Sequence, residues 1–423
     1  MHEEVIDPEA NKETLRQLLK DMSQKLDILD HGGDDEKDEI DRGKSAIQER
    51  MPMPDVEFKS EMEAAESMDN TVDTNTTMIE SDKLLLEPAD PSTVEKFAEY
   101  SRDWDSCWGE TYGFFTYITM LSPMQFTHYT PGLKAHGAAG STPETLQIFS
   151  IELTEIAGGL EFPLSVYGVV AARDVVDRNR NILFSRDRSE AQVLKQQDRF
   201  LRLMGPTRAI VFTDRVDFEI ELKVKGALKS QDKPLMSRWR RYRGNDGPDV
   251  STISFKNVLC TLELRSQPVQ DTIQATVLAI KVVEGPWPFE YGGRVTCSSL
   301  FGEFVFTEHK VDRTLEPSSG EIVLLESKGR AMPKGYGVYV HLSRQVVSVQ
   351  REGALDVVIR AYSKPGARAK KGHVCFVPKF CNISQGECAL GDAKVLITVA
   401  WSLVPTSKME LRNEITGRRR VFD

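Results

Sequence analysis

Between Val216 and Lys225 apolar and polar residues alternate without a break: Val216, Phe218, Ile220, Leu222 and Val224 against Asp217, Glu219, Glu221, Lys223 and Lys225. A period of two marks an extended strand with one face in a core and the other in water. The pattern predicts a strand of an antiparallel sheet, with Phe218 buried and Glu219 on the wet face. Shorter runs of the same kind predict strands over 149–154, 164–172, 208–213, 260–264, 273–283 and 294–298. Others follow at 302–306, 322–325, 338–342, 346–350, 355–361 and 395–401. No helix-length pattern separates them, so crossover helices are not expected. The fold class read from this is all-β, an antiparallel β-sandwich body over 145–405. A faint echo divides it: Tyr167-Gly168 and Tyr291-Gly292 each precede a strand, and Thr207-Arg208 and Ser343-Arg344 each lead into two more. Two related sheet units, 145–230 and 255–405, are expected.

Helical periodicity is confined to the first hundred residues. Leu15, Leu19, Met22, Leu26 and Leu29 recur at spacings of 4, 3, 4 and 3, a coiled-coil-like stripe within 12–30. Two heptads are too few for a stable coiled coil alone, so the stripe reads as an amphipathic helix for a protein partner or for weak self-association. The rest of 1–89 is acidic and poor in aromatics, and is read as a disordered tail. Asp90-Pro91, a capping residue followed by proline, opens a second short helix with Val94, Phe97 and Ala98 on one face, ending near Trp104. Up to residue 144 the chain is then rich in Trp, Tyr, Phe, Gly and Pro, which suits a segment packed over a sheet, or else a sugar or base platform. A basic tail closes the chain at 406–423.

Charge sharpens this division. Over 423 residues the formal net charge is −10, yet residues 1–90 hold 26 acidic against 10 basic side chains, leaving 38 against 44 in the remainder. An acidic tail thus precedes a mildly basic body, and either solvates it or folds back on basic patches. The start, Met1-His2-Glu3-Glu4, is acidic where a secretory signal is basic then apolar, and no apolar run is long enough to span a bilayer. The expectation is a cytoplasmic or nuclear protein with no membrane partner. In that setting Cys107, Cys260, Cys297, Cys375, Cys381 and Cys388, which have no CxxC spacing, are thiols, and the sequons at Asn75 and Asn382 stay unmodified.

Two clusters carry candidate chemistry. Arg238, Trp239, Arg240, Arg241, Tyr242 and Arg243 interleave guanidinium groups with rings, a pattern that neutralises phosphates while stacking bases. The same run reads as a nuclear-import signal or as a solvated basic loop. Arg173, Asp174, Asp177, Arg178 and Arg180 form a charged turn whose two carboxylates could hold a metal or share a proton. The neighbouring arginines favour a salt-bridged turn that fixes a hairpin. The histidines are scattered, and GxSxG, Walker and GxGxxG motifs are missing, so no catalytic residue, metal ligand or cofactor is assigned.

The blocks 163–174, from Pro163-Leu164-Ser165 to Ala172-Arg173-Asp174, and 177–184, from Asp177-Arg178-Asn179 to Phe184, are followed by Gly205-Pro206-Thr207-Arg208-Ala209 and by 218–226. Together with 342–349 and Val399-Ala400-Trp401-Ser402, they resemble an uncharacterised domain-of-unknown-function family expanded in grasses. The resemblance spans roughly 105–405. It implies a plant protein, and an association of some relatives with ribosome-inactivating N-glycosidase domains, but it brings no catalytic residues. The Glu-Ala-Ala-Arg type motif of that enzyme has no counterpart here, since Glu63-Ala64-Ala65-Glu66 lacks the arginine. The sequence thus points to a non-catalytic β-sandwich interaction module. Its alternatives are an accessory of a translation-inhibiting defence protein and an RNA-binding protein that uses 238–243.

Overall fold

The computed structural model describes residues 91–119, 140–244, 249–300, 306–307, 310–311, 320–328, 332, 338–362, 364 and 368–406. The stripe from Leu15 to Leu29, the acidic tail, all but the last residue of the strand expected over 302–306 and most of the basic C-terminal tail lie outside them. Helix α1 (Pro91–Tyr112) buries Phe97 and Trp104, with Tyr100 half-buried, at spacings of 3 and 4. This stripe replaces the expected one: Val94 is 41% exposed and Ala98 is exposed. It also carries the helix beyond Trp104, whose indole Nε1 donates to the Gly113 carbonyl at 3.0 Å. Gly113, at φ +114°, then reverses the chain, a conformation open mainly to glycine.

The first sandwich uses β1 (Thr145–Ile156), β2 (Leu164–Arg173), β3 (Asn181–Arg186), β4 (Gln192–Leu194), β5 (Val216–Val224), β6 (Lys233–Tyr242), β7 (Ser251–Lys256) and β8 (Cys260–Val269). Its sheets run β1-β8-β7 and β3-β2-β5-β6, with β4 on β2. One core lies between them, with Ile148, Ile151, Leu262 and Phe255 facing Val166, Phe218, Ile220 and Leu222. The second sandwich uses β9 (Thr272–Glu284), β10 (Gly292–Leu300), β11 (Phe306–Thr307), β12 (Lys310–Val311), β13 (Ile322–Lys328), β14 (Val346–Gln350), β15 (Ala354–Ala361), β16 (Lys370–Phe376), β17 (Ile383–Leu390) and β18 (Ala393–Ser402). Its sheets run β14-β9-β18-β17 and β13-β10-β15-β16, while β11 and β12 pair with each other.

The two strand orders are the same order twice. Exchanging β1, β8 and β7 for β9, β18 and β17, and β3, β2, β5 and β6 for β13, β10, β15 and β16, turns one sandwich into the other. Residues 210–212 take the place of β14: Leu146 donates to the Ile210 carbonyl, and Phe212 to that of Glu144. Strands β7 and β8 pair with each other and β8 with β1, so the first sheet pair closes at Val269. The echo at Tyr-Gly and at Thr-Arg/Ser-Arg thus falls within one residue of equivalent places, with the boundary later than the spacing of the predicted strands suggested.

The sandwiches meet across a polar joint. Thr145 and Thr272, which open β1 and β9, place their hydroxyls 2.9 Å apart. Gln147, two residues on, accepts through Oε1 from the Ser348 amide, and Gln274, also two residues on, accepts from the Ala209 amide. At a bulge in β1, Phe149 leaves its own core and joins that of the second sandwich.

Candidate functional site

The charged turn lies where β2 leaves its sheet. Arg208, fully buried, grips both oxygens of Asp174 and donates to Asp177 at 3.0 Å. Thr119 donates to the other Asp177 oxygen at 2.7 Å. Burial works against the Arg208 charge, but the two carboxylates outweigh it and hold its pKa above the ordinary arginine value. Asp174 and Asp177 are therefore engaged by a guanidinium that the sequence reading did not include. A lone arginine in the apolar run Ala209-Ile210-Val211 was the available signal. Asp174 and Asp177 also accept backbone amides of Val176 and Asn179, and Arg178 sits at φ +55° within the turn. Among the described residues no group of three His, Cys, Asp or Glu is placed to hold a metal.

Arg173 and Arg180 converge instead on Glu219, Arg173 donating to both carboxylate oxygens and Arg180 to Oε2. Glu219 is 1% exposed, which corrects its expected place on a wet face: α1 covers it, and Tyr100 adds a hydroxyl hydrogen bond at 2.9 Å. Burial, then the Glu219 charge, pushes the Tyr100 phenol well above its usual pKa. Arg173 also donates to the Phe115 carbonyl and lies 4.1 Å from the Trp104 ring, while Arg180 lies 4.0 Å from that of Phe115. One buried carboxylate, two guanidinium groups and their surrounding rings thus clamp the helix to the outer face of β2, β5 and β6.

The run from Arg238 to Arg243 is not a loop, because its first five residues lie in β6. Trp239 stacks on Tyr100 with ring centroids 4.7 Å apart and planes 13° apart, so one of its faces is taken by α1. Tyr242 is buried and stacks on Phe212. Arg241 pairs with Asp217 at 3.1 Å, and Arg240 donates to the Ser254 carbonyl on β7. Arg238 and Arg243 are exposed. The fold therefore disperses the run over several environments.

What it assembles is an aromatic face. Beyond the clamp, Trp108, Phe114, Tyr117 and Ile118 are 42%, 48%, 51% and 45% exposed. Phe114 and Tyr117 meet edge to face at 5.5 Å, Trp108 and Tyr112 meet at 5.7 Å, and Arg178 lies over Tyr112 at 5.2 Å. The reversal at Gly113 folds Phe114 back onto Gly109, where a side chain would press on the ring. The exposed charges of α1 beside it are Glu95, Glu99, Asp103, Asp105 and Glu110 against Lys96 and Arg102.

Comparison with known proteins adds a family and little else. The chain matches no curated protein. Two solved structures overlap it at a TM-score of 0.20, a level that lends no function. One is an extended-synaptotagmin 2 fragment with an SMP domain and two C2 domains, 10% identical over 62% of this chain and 56% of that one. The other is human GIVD cytosolic phospholipase A2 in complex with methyl gamma-linolenyl fluorophosphonate, 8% identical over 63% and 33%. The chain thus spans about half and a third of their lengths. Residues 145–399, both sandwiches from β1 almost to the end of β18, match one domain family, and the chain belongs to it: the domain of unknown function DUF6598.

Proposed function

We propose that this chain is a non-catalytic binding module, and that its aromatic face takes a protein segment rich in basic and apolar side chains. The observation that carries this reading is the cluster of Trp108 on α1 with Phe114, Tyr117 and Ile118 in the segment just after it, left open to water beside a helix that a buried charge network holds in place. Contiguous exposed rings on a fixed support are the usual anchors of protein contacts. The acidic surplus along α1 selects for basic residues in the partner, whose cations can also lie over the rings. The clamp serves this role by pre-organisation, since a rigid platform loses little entropy on binding. The family resemblance supplies a setting, a grass protein of the cytosol or nucleus with relatives linked to N-glycosidase domains, in which a defence-related partner fits.

The test is fluorescence anisotropy with three labelled probes: a peptide alternating Arg or Lys with Leu or Phe, the same peptide with Glu at its basic positions, and a single-stranded RNA. The basic peptide should bind, and the double change Trp108→Ala with Tyr117→Ala should weaken it at least about tenfold, or 1.4 kcal/mol. Binding that ignores the double change overturns the reading. So does RNA binding with a steep salt dependence that Arg238→Ala and Arg240→Ala flatten.

A further inference from the structure

We propose that the joint between the sandwiches contains an anion site built on Arg344, which takes one small carboxylate or oxyanion in the place that Asp174 fills beside Arg208. The argument rests on the internal repeat. Arg208 and Arg344 are the two arginines among the largest fully buried side chains of the described residues, and they stand within one residue of equivalent places: Arg208 precedes the short edge segment on β1, and Arg344 precedes β14 on β9. In the first sandwich the guanidinium, whose Nε has no partner among the described residues, is held through Nη1 and Nη2 by two carboxylates from the turn after β2. In the second it is not. Arg344 is 1% exposed, and its Nη2 donates to the Ile148 carbonyl across the joint, while Nε and Nη1 have no partner among the described residues. A guanidinium cannot accept a hydrogen bond, so only an acceptor can satisfy those two nitrogens, and a charged acceptor does so best.

The sequence shows what was exchanged. The bulges of β2 and β10 fall after Val170 and after Val295, and by that offset the residue in the place of Asp174 is Ser299, preceded by Ser298. A carboxylate has been replaced by hydroxyls, and the Ser299 hydroxyl is itself buried without a partner among the described residues. The nearby Cys297 thiol cannot serve as counterion, because burial raises its pKa and keeps it neutral. Burial also pushes Arg344 down to about 10, so it remains a cation at neutral pH. The geometry thus offers a buried cation with two donors open to an acceptor, beside Cys297 and two residues along β10 from a second buried polar group without a partner, the Ser299 hydroxyl.

The experiment is thermal melting of the full chain at matched ionic strength in acetate, in inorganic phosphate and in a buffer of large, weakly coordinating anions. Acetate or phosphate should raise the melting temperature by a few degrees in a saturable way, as a ligand specific for the native state does. Arg344→Met should abolish the response, and Arg344→Lys, which keeps the charge but loses the fork, should weaken it. Equal melting of the wild type in all three buffers overturns the proposal, as does a response that survives in Arg344→Met. Should Arg344→Met fail to fold, calorimetric titration of the wild type with phosphate decides: one saturable site supports the proposal, and heat no larger than dilution refutes it.

Discussion

Phe218 and Glu219 are neighbours in β5, and both are removed from water for opposite reasons. Phe218 points into the first core, and Phe218→Ala should cost about 3–5 kcal/mol in urea unfolding by leaving a cavity. Glu219 points outward under α1, where its removal leaves Arg173 and Arg180 buried without a counter-charge and Tyr100 without its acceptor. Glu219→Ala should therefore also cost about 3–5 kcal/mol, far from the few tenths of a true surface change. The alternation of apolar and polar residues identified the core side of this strand correctly and said nothing about its other side. What covers that side lies 119 residues away along the chain, and period-two patterns carry no such long-range term. Thiols differ in the same local way. Burial raises Cys260 to about 12 and Cys375 to about 11, while Cys107 is exposed on α1. Alkylation by iodoacetamide at pH 8, followed by mass spectrometry, should label Cys107 first and leave Cys260 to the unfolded chain.

At the scale of elements, legibility follows burial. Strands with a clean buried face, such as β5 and β15, stand out in the sequence. Edge strands do not: β6 buries only Leu235, Met236, Ser237 and Tyr242, and β17 has one fully buried residue, Leu390. An edge needs charge more than pattern, since its unpaired side must resist association, and the basic run of β6 fits that need. This is why Arg238 to Arg243 looked like a loop. The candidate site was half legible: its aromatic residues were visible as a cluster, but the reversal at Gly113 that makes them one face was not. Helix α1 is held by stacking and by hydrogen bonds around Tyr100, more than by a core of its own. Trp239→Ala should loosen it selectively. Amide hydrogen exchange over 91–112 should then rise while 216–224 keeps its protection, and a uniform rise would show that α1 and the sandwich open together.

At the scale of the molecule, the joint makes a paired prediction. Gln147 satisfies the buried amide of Ser348, and Gln274 that of Ala209, across the same joint. Gln147→Ala and Gln274→Ala should each cost about 1–3 kcal/mol by orphaning a backbone donor, and the two costs should match more closely than the unrelated surroundings of the two residues would suggest. A single cooperative melt in calorimetry is expected for the wild type, because β8 and β9 are separated only by Gln270 and Asp271. The entrance and exit of the paired sandwiches lie together as well. Ser141 and Val404 exchange two backbone hydrogen bonds at 3.0 Å, so the chain enters and leaves this body through one doorway. A loop is in effect already closed there. The old ends can be spliced from Thr406 to Gly140 and the chain reopened between Gly244 and Asp249, giving a circular permutant that keeps every strand of both sandwiches while leaving out α1 and its cover over Glu219. The same doorway lets the whole body be spliced into a surface loop of another protein without prying that loop apart.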